Sequence, residues 1–207
     1  MSKLYRPSYL EVICGPMKSG KSREFIRIFK ELEHSDYDCL TFKPAVNIRE
    51  KGIASRAFNL KLEAVVIDEN QPEMIFKYLK GKQYKIIGID EAQFFDIGLV
   101  NVVDTVLKKR YHVIVSGLML SFKGEPFGPM PWIVGRADKI IRLTAICDVT
   151  GCNRRATRTQ RLINGKPANY NSPLVSIEGQ MEIESYEARC VLHHTVPITK
   201  QDLSSGS

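Results

Sequence analysis

The sequence has no apolar run approaching the eighteen or so uninterrupted residues that a membrane-crossing helix needs. Its opening stretch, Met1-Ser2-Lys3-Leu4-Tyr5-Arg6, puts no long apolar core after its charges, so a secretory leader is not expected. It has no internal repeat and no low-complexity block. Its cysteines number five, and an odd count without a secretion signal argues against a disulfide framework. Acidic residues are the minority charge, 23 against 30 basic ones, for a net charge of +7. A nucleic-acid binder can look like this, and so can an enzyme for anionic nucleotides. Because the excess is not gathered into one block, no nucleic-acid partner is expected. The expectation is a cytoplasmic, globular protein, and 207 residues are enough for one domain and a small appendage.

Short apolar runs alternate with amphipathic segments through the first two thirds of the chain. Strands are expected at Tyr9–Cys14, Cys39–Phe42, Glu63–Ile67, Ile86–Ile89 and Val113–Val115. Helices are expected from about Lys21, around Pro72–Leu79 and around Val100–Lys109. In the first of these, Phe25, Ile28, Phe29 and Leu32 fall at i, i+3, i+4 and i+7 and make one face. Such alternation predicts an α/β fold with a parallel sheet covered on both faces, whose ligands bind beyond the carboxyl ends of the strands. The alternation ends near Leu143. A small, loop-rich unit is expected over 144–197, after the domain at 1–143, with a disordered tail at 198–207.

Between the first strand and the first helix stands Gly15-Pro16-Met17-Lys18-Ser19-Gly20-Lys21-Ser22, which fits G-x-x-x-x-G-K-[ST]. The glycines let backbone N–H groups wrap phosphates, and the helix that follows presents its positive end. Lys21 would reach the outer phosphates of a nucleoside triphosphate, and the Ser22 hydroxyl would ligate Mg²⁺. At the end of a later apolar strand comes Asp90-Glu91-Ala92-Gln93-Phe94-Phe95. Asp90 fits the acid that holds the Mg²⁺ shell, and Glu91 can serve as a general base on an acceptor hydroxyl. Phe94 can face a base, whereas Phe95 is expected in the core. The Gly- and aromatic-rich loop Ser116–Gly128, with Phe122 and Phe127, lies where an acceptor would sit.

Cys14 and Cys39 lie in apolar stretches and are expected in the core. Cys147-x4-Cys152 and Cys190-x2-His193 form two clamps able to complete a tetrahedral, structural Zn²⁺ site, with His194 as the alternative fourth ligand.

Taken together, Gly15–Ser22, Asp90–Phe95, Phe122–Pro129, Leu143–Cys147, Thr159–Leu162 and Tyr186–Cys190 resemble the thymidine kinase family of bacteria, some viruses and animal cytosol. The resemblance covers roughly residues 9–197. It implies a P-loop (RecA-like) α/β domain, a zinc-bearing second domain with a lasso, and a homotetramer. It implies transfer of the ATP γ-phosphate to the 5′-hydroxyl of thymidine or deoxyuridine with Mg²⁺, Glu91 being the base. Residues matching Met17, Phe94, Leu118, Phe122, Phe127, Thr159 and Tyr186 would line the nucleoside pocket. Gln93 and Arg49 would sit with the nucleotide phosphates, and the lasso would be Leu174–Met181. The chain also departs from the family pattern, with Asn47 and Met119 where acids are usual, a Cys147 clamp two residues wider, and an altered lasso.

Overall fold

The computed structural model describes residues 5–34, 37–46, 53–55, 60–175 and 183–198. Contacts divide the chain into two compact units. The first comprises Met1–Cys14, Gly20–Met119 and Phe127–Leu143; the second comprises Gly15–Ser19, Leu120–Pro126 and Thr144–Ser207.

The first unit opens with strand β1 (Tyr9–Cys14) and helix α1 (Lys21–Glu33), followed by β2 (Cys39–Pro44), a hairpin of β3 (Ile53–Ser55) and β4 (Leu60–Leu62), and β5 (Val65–Ile67). A 3₁₀ turn at Pro72–Met74 leads into α2 (Ile75–Leu79). Then come β6 (Ile86–Ile89), α3 (Gly98–Lys108), β7 (His112–Gly117), α4 (Met130–Val134) and β8 (Lys139–Arg142). Six strands form one wholly parallel sheet in the order β5-β2-β6-β7-β1-β8.

The strands are apolar on both faces because helices cover both. Leu10, Val12 and Cys14 of β1 join Ile87, Ile89, Val113 and Val115 in a cluster completed by α3 residues Leu99, Val102, Val103 and Val106. The intervening Ile13, with Ile86 and Ile114, faces the other way, onto Phe25, Ile26, Phe29 and Leu32 of α1. The face of α1 thus differs by one residue from the expected one: Ile26 is buried, and Ile28 is only half-buried. Cys14 is fully buried as expected, whereas Cys39 is half-buried.

The sheet also extends beyond the expected strands. Neither α4 nor β8 gave a clear sequence signal, since α4 has five residues and β8 carries only two apolar residues between charged ends. An edge strand needs no more, and Ile140 stays 49% exposed. The strand expected at Glu63–Ile67 begins only at Val65, and the Thr41 hydroxyl donates to the Glu63 carbonyl beside it. Among the described residues no helix is long and apolar enough to cross a membrane.

Gly88, in the middle of β6, lets α1 approach. A Cβ there would lie 2.5 Å from the Phe29 ring and 2.7 Å from the Phe25 ring. Both rings are buried and have nowhere to retreat. Gly88→Ala is therefore expected to destabilise the protein by about 1–3 kcal/mol through overpacking, read as a lowered urea midpoint. An unchanged midpoint would show that α1 can shift freely.

The second unit is built from antiparallel pieces. β9 (Ala145–Ile146) pairs with β10 (Arg155–Ala156), and β11 (Arg158–Ile163) lies between β12 (Lys166–Pro167) and β13 (Glu184–Arg189).

Candidate active site

In the first unit, chemistry gathers where β6 ends. Asp90 is 4% exposed, and its amide donates to the Phe42 carbonyl on the neighbouring β2 at 3.0 Å. The chain then leaves the sheet abruptly. Glu91 takes a left-handed conformation (φ 50°, ψ 39°) and opens a 3₁₀ turn over Ala92–Phe94. A non-glycine residue held there costs on the order of 1–3 kcal/mol and persists only where its surroundings hold it, as functional sites commonly do. Ala92 and Phe95 anchor the turn in the core, as expected for Phe95.

The charges at this corner are desolvated. Lys21, at the first position of α1, is 8% exposed. Burial lowers its pKa, and the neighbouring Glu91 and Asp90 charges partly restore it. Burial raises the Asp90 pKa, and the Glu91 charge raises it further, against the pull of the Lys21 charge. One cation thus faces two carboxylates in a low-dielectric corner. Ser22 and Asp90 offer the oxygen donors that Mg²⁺ takes, and a buried carboxylate disfavoured as an anion is one that a cation would stabilise.

Glu91 is held from the side by Gln93, which is 2% exposed. The Gln93 Nε2 donates to Glu91 Oε2 at 2.5 Å, and its Oε1 accepts from the Leu118 amide just after β7 at 2.9 Å. Both ends of this amide are therefore engaged within the protein. Gly128 (φ 52°) closes against the same turn, where a Cβ would meet the Gln93 carbonyl oxygen at 2.2 Å. Phe94 meets Phe127 edge-on, with centroids 5.5 Å apart. Leu118 and Phe127 are buried, and Met119 packs against the main core, an environment for a thioether rather than a carboxylate.

The second unit holds the first five residues of the glycine-rich loop, Gly15–Ser19. The Met17 amide donates to the Thr159 hydroxyl at 3.1 Å, and Lys18, itself left-handed at φ 62°, pairs with Asp148 at 2.8 Å. The Ser19 hydroxyl closes the turn onto the Pro16 carbonyl at 2.8 Å. Phe122 is buried, and the guanidinium of Arg161 lies over its ring at 5.5 Å. Arg161 is 1% exposed and donates to the Glu184 carboxylate and the Pro173 carbonyl, partners that make so deep a charge tolerable. Tyr186 stands beside Glu184, and burial raises its phenol pKa, with Arg161 opposing and Glu184 assisting.

The late cysteines converge. The donor atoms of Cys147, Cys152, Cys190 and His193 all lie within 4.8 Å of one another. Cys147 and Cys190 Sγ are each 3.5 Å from His193 Nδ1, and the Cys152 and Cys190 sulfurs are 4.0 Å apart. Tetrahedral Zn²⁺ with Zn–S near 2.3 Å and Zn–N near 2.0 Å requires edges of about 3.5–3.8 Å, so the donor set fits. Burial opposes ionisation of Cys147, but the backbone amides of Cys190 and Val149, with His193 and Cys152, bring its thiol down to about 6. His193, not His194, belongs to the cluster.

The structure therefore brings Lys21, Asp90, Glu91, Gln93, Phe94, Leu118 and Phe127 into the first unit, and Met17, Lys18, Phe122, Thr159 and Tyr186 into the second. Arg49, Asn47 and the lasso from residue 176 to 181 lie outside the described residues. Asp148 carries no signal in the sequence, and Gln160 and Arg161 stand within Thr159–Leu162 with no role of their own marked there. Their side chains meet partners well removed in the chain, as with the Lys18–Asp148 pair 130 positions apart.

Comparison with known proteins accounts for this combination of residues. A family profile described as thymidine kinase matches residues 8–194. The chain is 42% identical to a thymidine kinase of Thermococcus kodakarensis over 200 residues, covering 95% of this chain and 99% of that protein. It is 40% identical to one from Coprothermobacter proteolyticus, covering 95% of this chain and 96% of that protein. A thymidine kinase of Mycoplasmoides gallisepticum is 41% identical over 91% of this chain and 82% of its own length. With a profile spanning nearly its whole length and relatives this similar, the chain belongs to the thymidine kinase family.

Proposed function

We propose that the protein is an ATP-dependent thymidine kinase, moving the γ-phosphate of ATP to the 5′-hydroxyl of thymidine or deoxyuridine. The observation that carries this reading is the corner where buried Lys21 and Asp90 meet the half-buried Glu91, itself clamped by Gln93. The amides of the loop Gly15–Ser22 cradle the triphosphate, and Lys21 takes its outer phosphates, where a buried ammonium is worth more than in water. Ser22 and Asp90 would hold Mg²⁺, which would neutralise charge on the phosphates. Glu91 accepts the proton of the acceptor hydroxyl, and Gln93 fixes the carboxylate for that task. Such transfer depends chiefly on position and charge. Met17, Phe94, Leu118, Phe122, Phe127, Thr159 and Tyr186 line the nucleoside pocket, and Arg49 attends the phosphates.

Cys147, Cys152, Cys190 and His193 hold one structural Zn²⁺, and four protein donors leave it no open position. The same reading divides the chain into a nucleotide-binding part at 1–143 and a zinc and lasso part at 144–197, assembled as a cytoplasmic homotetramer. Incubation with ATP, Mg²⁺ and a panel of deoxynucleosides is expected to convert thymidine and deoxyuridine to 5′-monophosphates. A panel returning only another monophosphate, or none, refutes the assignment.

A further inference from the structure

The donors of the Cys/His cluster have neighbours in the chain that are bound elsewhere. Asp148 follows Cys147, and its Oδ2 accepts from Lys18 Nζ at 2.8 Å and from the Ala188 amide at 2.7 Å. His194 follows His193, and its Nε2 lies 2.8 Å from the Phe122 carbonyl oxygen. That oxygen can only accept, so the nitrogen donates. Thr195 comes next and is locked by the amide of Gln160, which donates to the Thr195 carbonyl at 2.8 Å and accepts from its N–H at 2.9 Å. Gln160 is 1% exposed, whereas Thr195 lies at the surface, so this lock is half-buried. The His193 amide closes the knuckle onto the Cys190 carbonyl at 3.1 Å.

A metal knuckle that served only as a fold staple would send its neighbours to its own strands or to water. Asp148 binds strand β13 of its own unit through the Ala188 amide, but it also reaches Lys18, 130 positions away, and His194 reaches Phe122, 72 positions away. Those segments are the start of the glycine-rich loop and the loop Leu120–Pro126, both counted with the second unit by their contacts. Four ligands fix the backbone at Cys147 and His193, and a residue one peptide away can drift little. The Phe122 backbone is held by His194, while its ring is held by the buried Arg161.

We propose that the zinc cluster is the common anchor of the donor loop and the acceptor-side loop, with Asp148 and His194 as the positioning residues that transmit it. The inference rests on the kinase reading, in which Gly15–Ser22 holds ATP and Phe122 lines the nucleoside pocket. It adds two residues outside both pockets and assigns each to one substrate. The His194 bond is partly buried, and its loss displaces a pocket wall. The Lys18–Asp148 pair is half exposed, so its share is smaller.

The test is amide hydrogen exchange and steady-state kinetics on the full zinc-loaded protein, with zinc content measured in each variant. His194→Ala is expected to speed exchange at 120–126 and to raise the thymidine KM about tenfold, leaving the ATP KM and zinc content unchanged. His194→Gln, which can still donate, restores both. Asp148→Ala is expected to speed exchange at 15–19 and raise the ATP KM about two- to fivefold, with thymidine unaffected. Should His194→Ala lose its zinc, His194→Leu fills the same space without a donor and carries the same comparison. Unchanged exchange at both segments in zinc-loaded variants overturns the anchor. Faster exchange at 120–126 with an unchanged thymidine KM upholds the tether and overturns instead the placing of Phe122 in the nucleoside pocket.

Discussion

In a Glu91→Gln variant, turnover is expected to fall by about 10²–10⁴-fold while ATP still binds. The substitution removes the proton acceptor and little else. Glutamine has the shape of glutamate, and its carbonyl can still accept from Gln93 Nε2, so the clamp through Gln93 to the Leu118 amide survives. The left-handed backbone at residue 91 asks no more of glutamine than of glutamate. Lys21 keeps Asp90 as its counter-charge, so the donor side should retain its affinity. A fluorescent ATP analogue reads the binding, and single-turnover phosphorylation of thymidine reads the chemistry. Glu91→Asp separates position from charge. It keeps a carboxylate but withdraws it by one methylene from Gln93, and a misplacement of about 1 Å can itself cost about 10²-fold. If Glu91→Gln turns over at close to the wild-type rate, Glu91 is not the base.

The sequence made the donor half of this site readable because its rules are local. A glycine-rich loop between an apolar strand and an amphipathic helix, and an acid pair ending another apolar strand, are each read from one continuous stretch of sequence. The parallel sheet followed from the same local signals, except at β8, where an edge strand with two isoleucines gives almost no pattern. What could not be read was the pairing of remote segments. Met17 and Thr159 are 142 positions apart, and nothing in Gly15–Ser19 announces that these residues pack with the second unit. Arg161 was hidden for another reason. An arginine among other arginines reads as solvated surface, and only the carboxylate of Glu184 and the carbonyl of Pro173 reveal why this one can be buried. The choice between His193 and His194 turned on which ring faces the sulfurs. Spacing permits either, but the Phe122 carbonyl takes the second.

Loss of the metal is expected to have the largest effect on stability. Among the described residues from 144 onward, the buried apolar side chains are Cys147, Ala156, Leu162, Ala168, Ala188 and Cys190. Leu162 alone is a large aliphatic, and two of the others are the proposed ligands themselves. Three of the five strands here, β9, β10 and β12, have two residues each. So small a core cannot offset the chain entropy of ordering this part of the chain, which costs about 1–2 kcal/mol per residue in the backbone alone. Structural zinc contributes on the order of 10–16 kcal/mol to folding in small domains, enough to decide the outcome. Cys190→Ser, or exhaustive chelation, is therefore expected to unfold the part from Thr144 onward while the parallel sheet keeps its slow amide exchange. Metal analysis of the untreated protein should return about one zinc per chain, as a single four-donor cluster requires. Kinase activity should disappear with the zinc, because Thr159, which accepts from the Met17 amide, belongs to the unit that unfolds. A metal-free protein with unchanged melting and full turnover would refute the site.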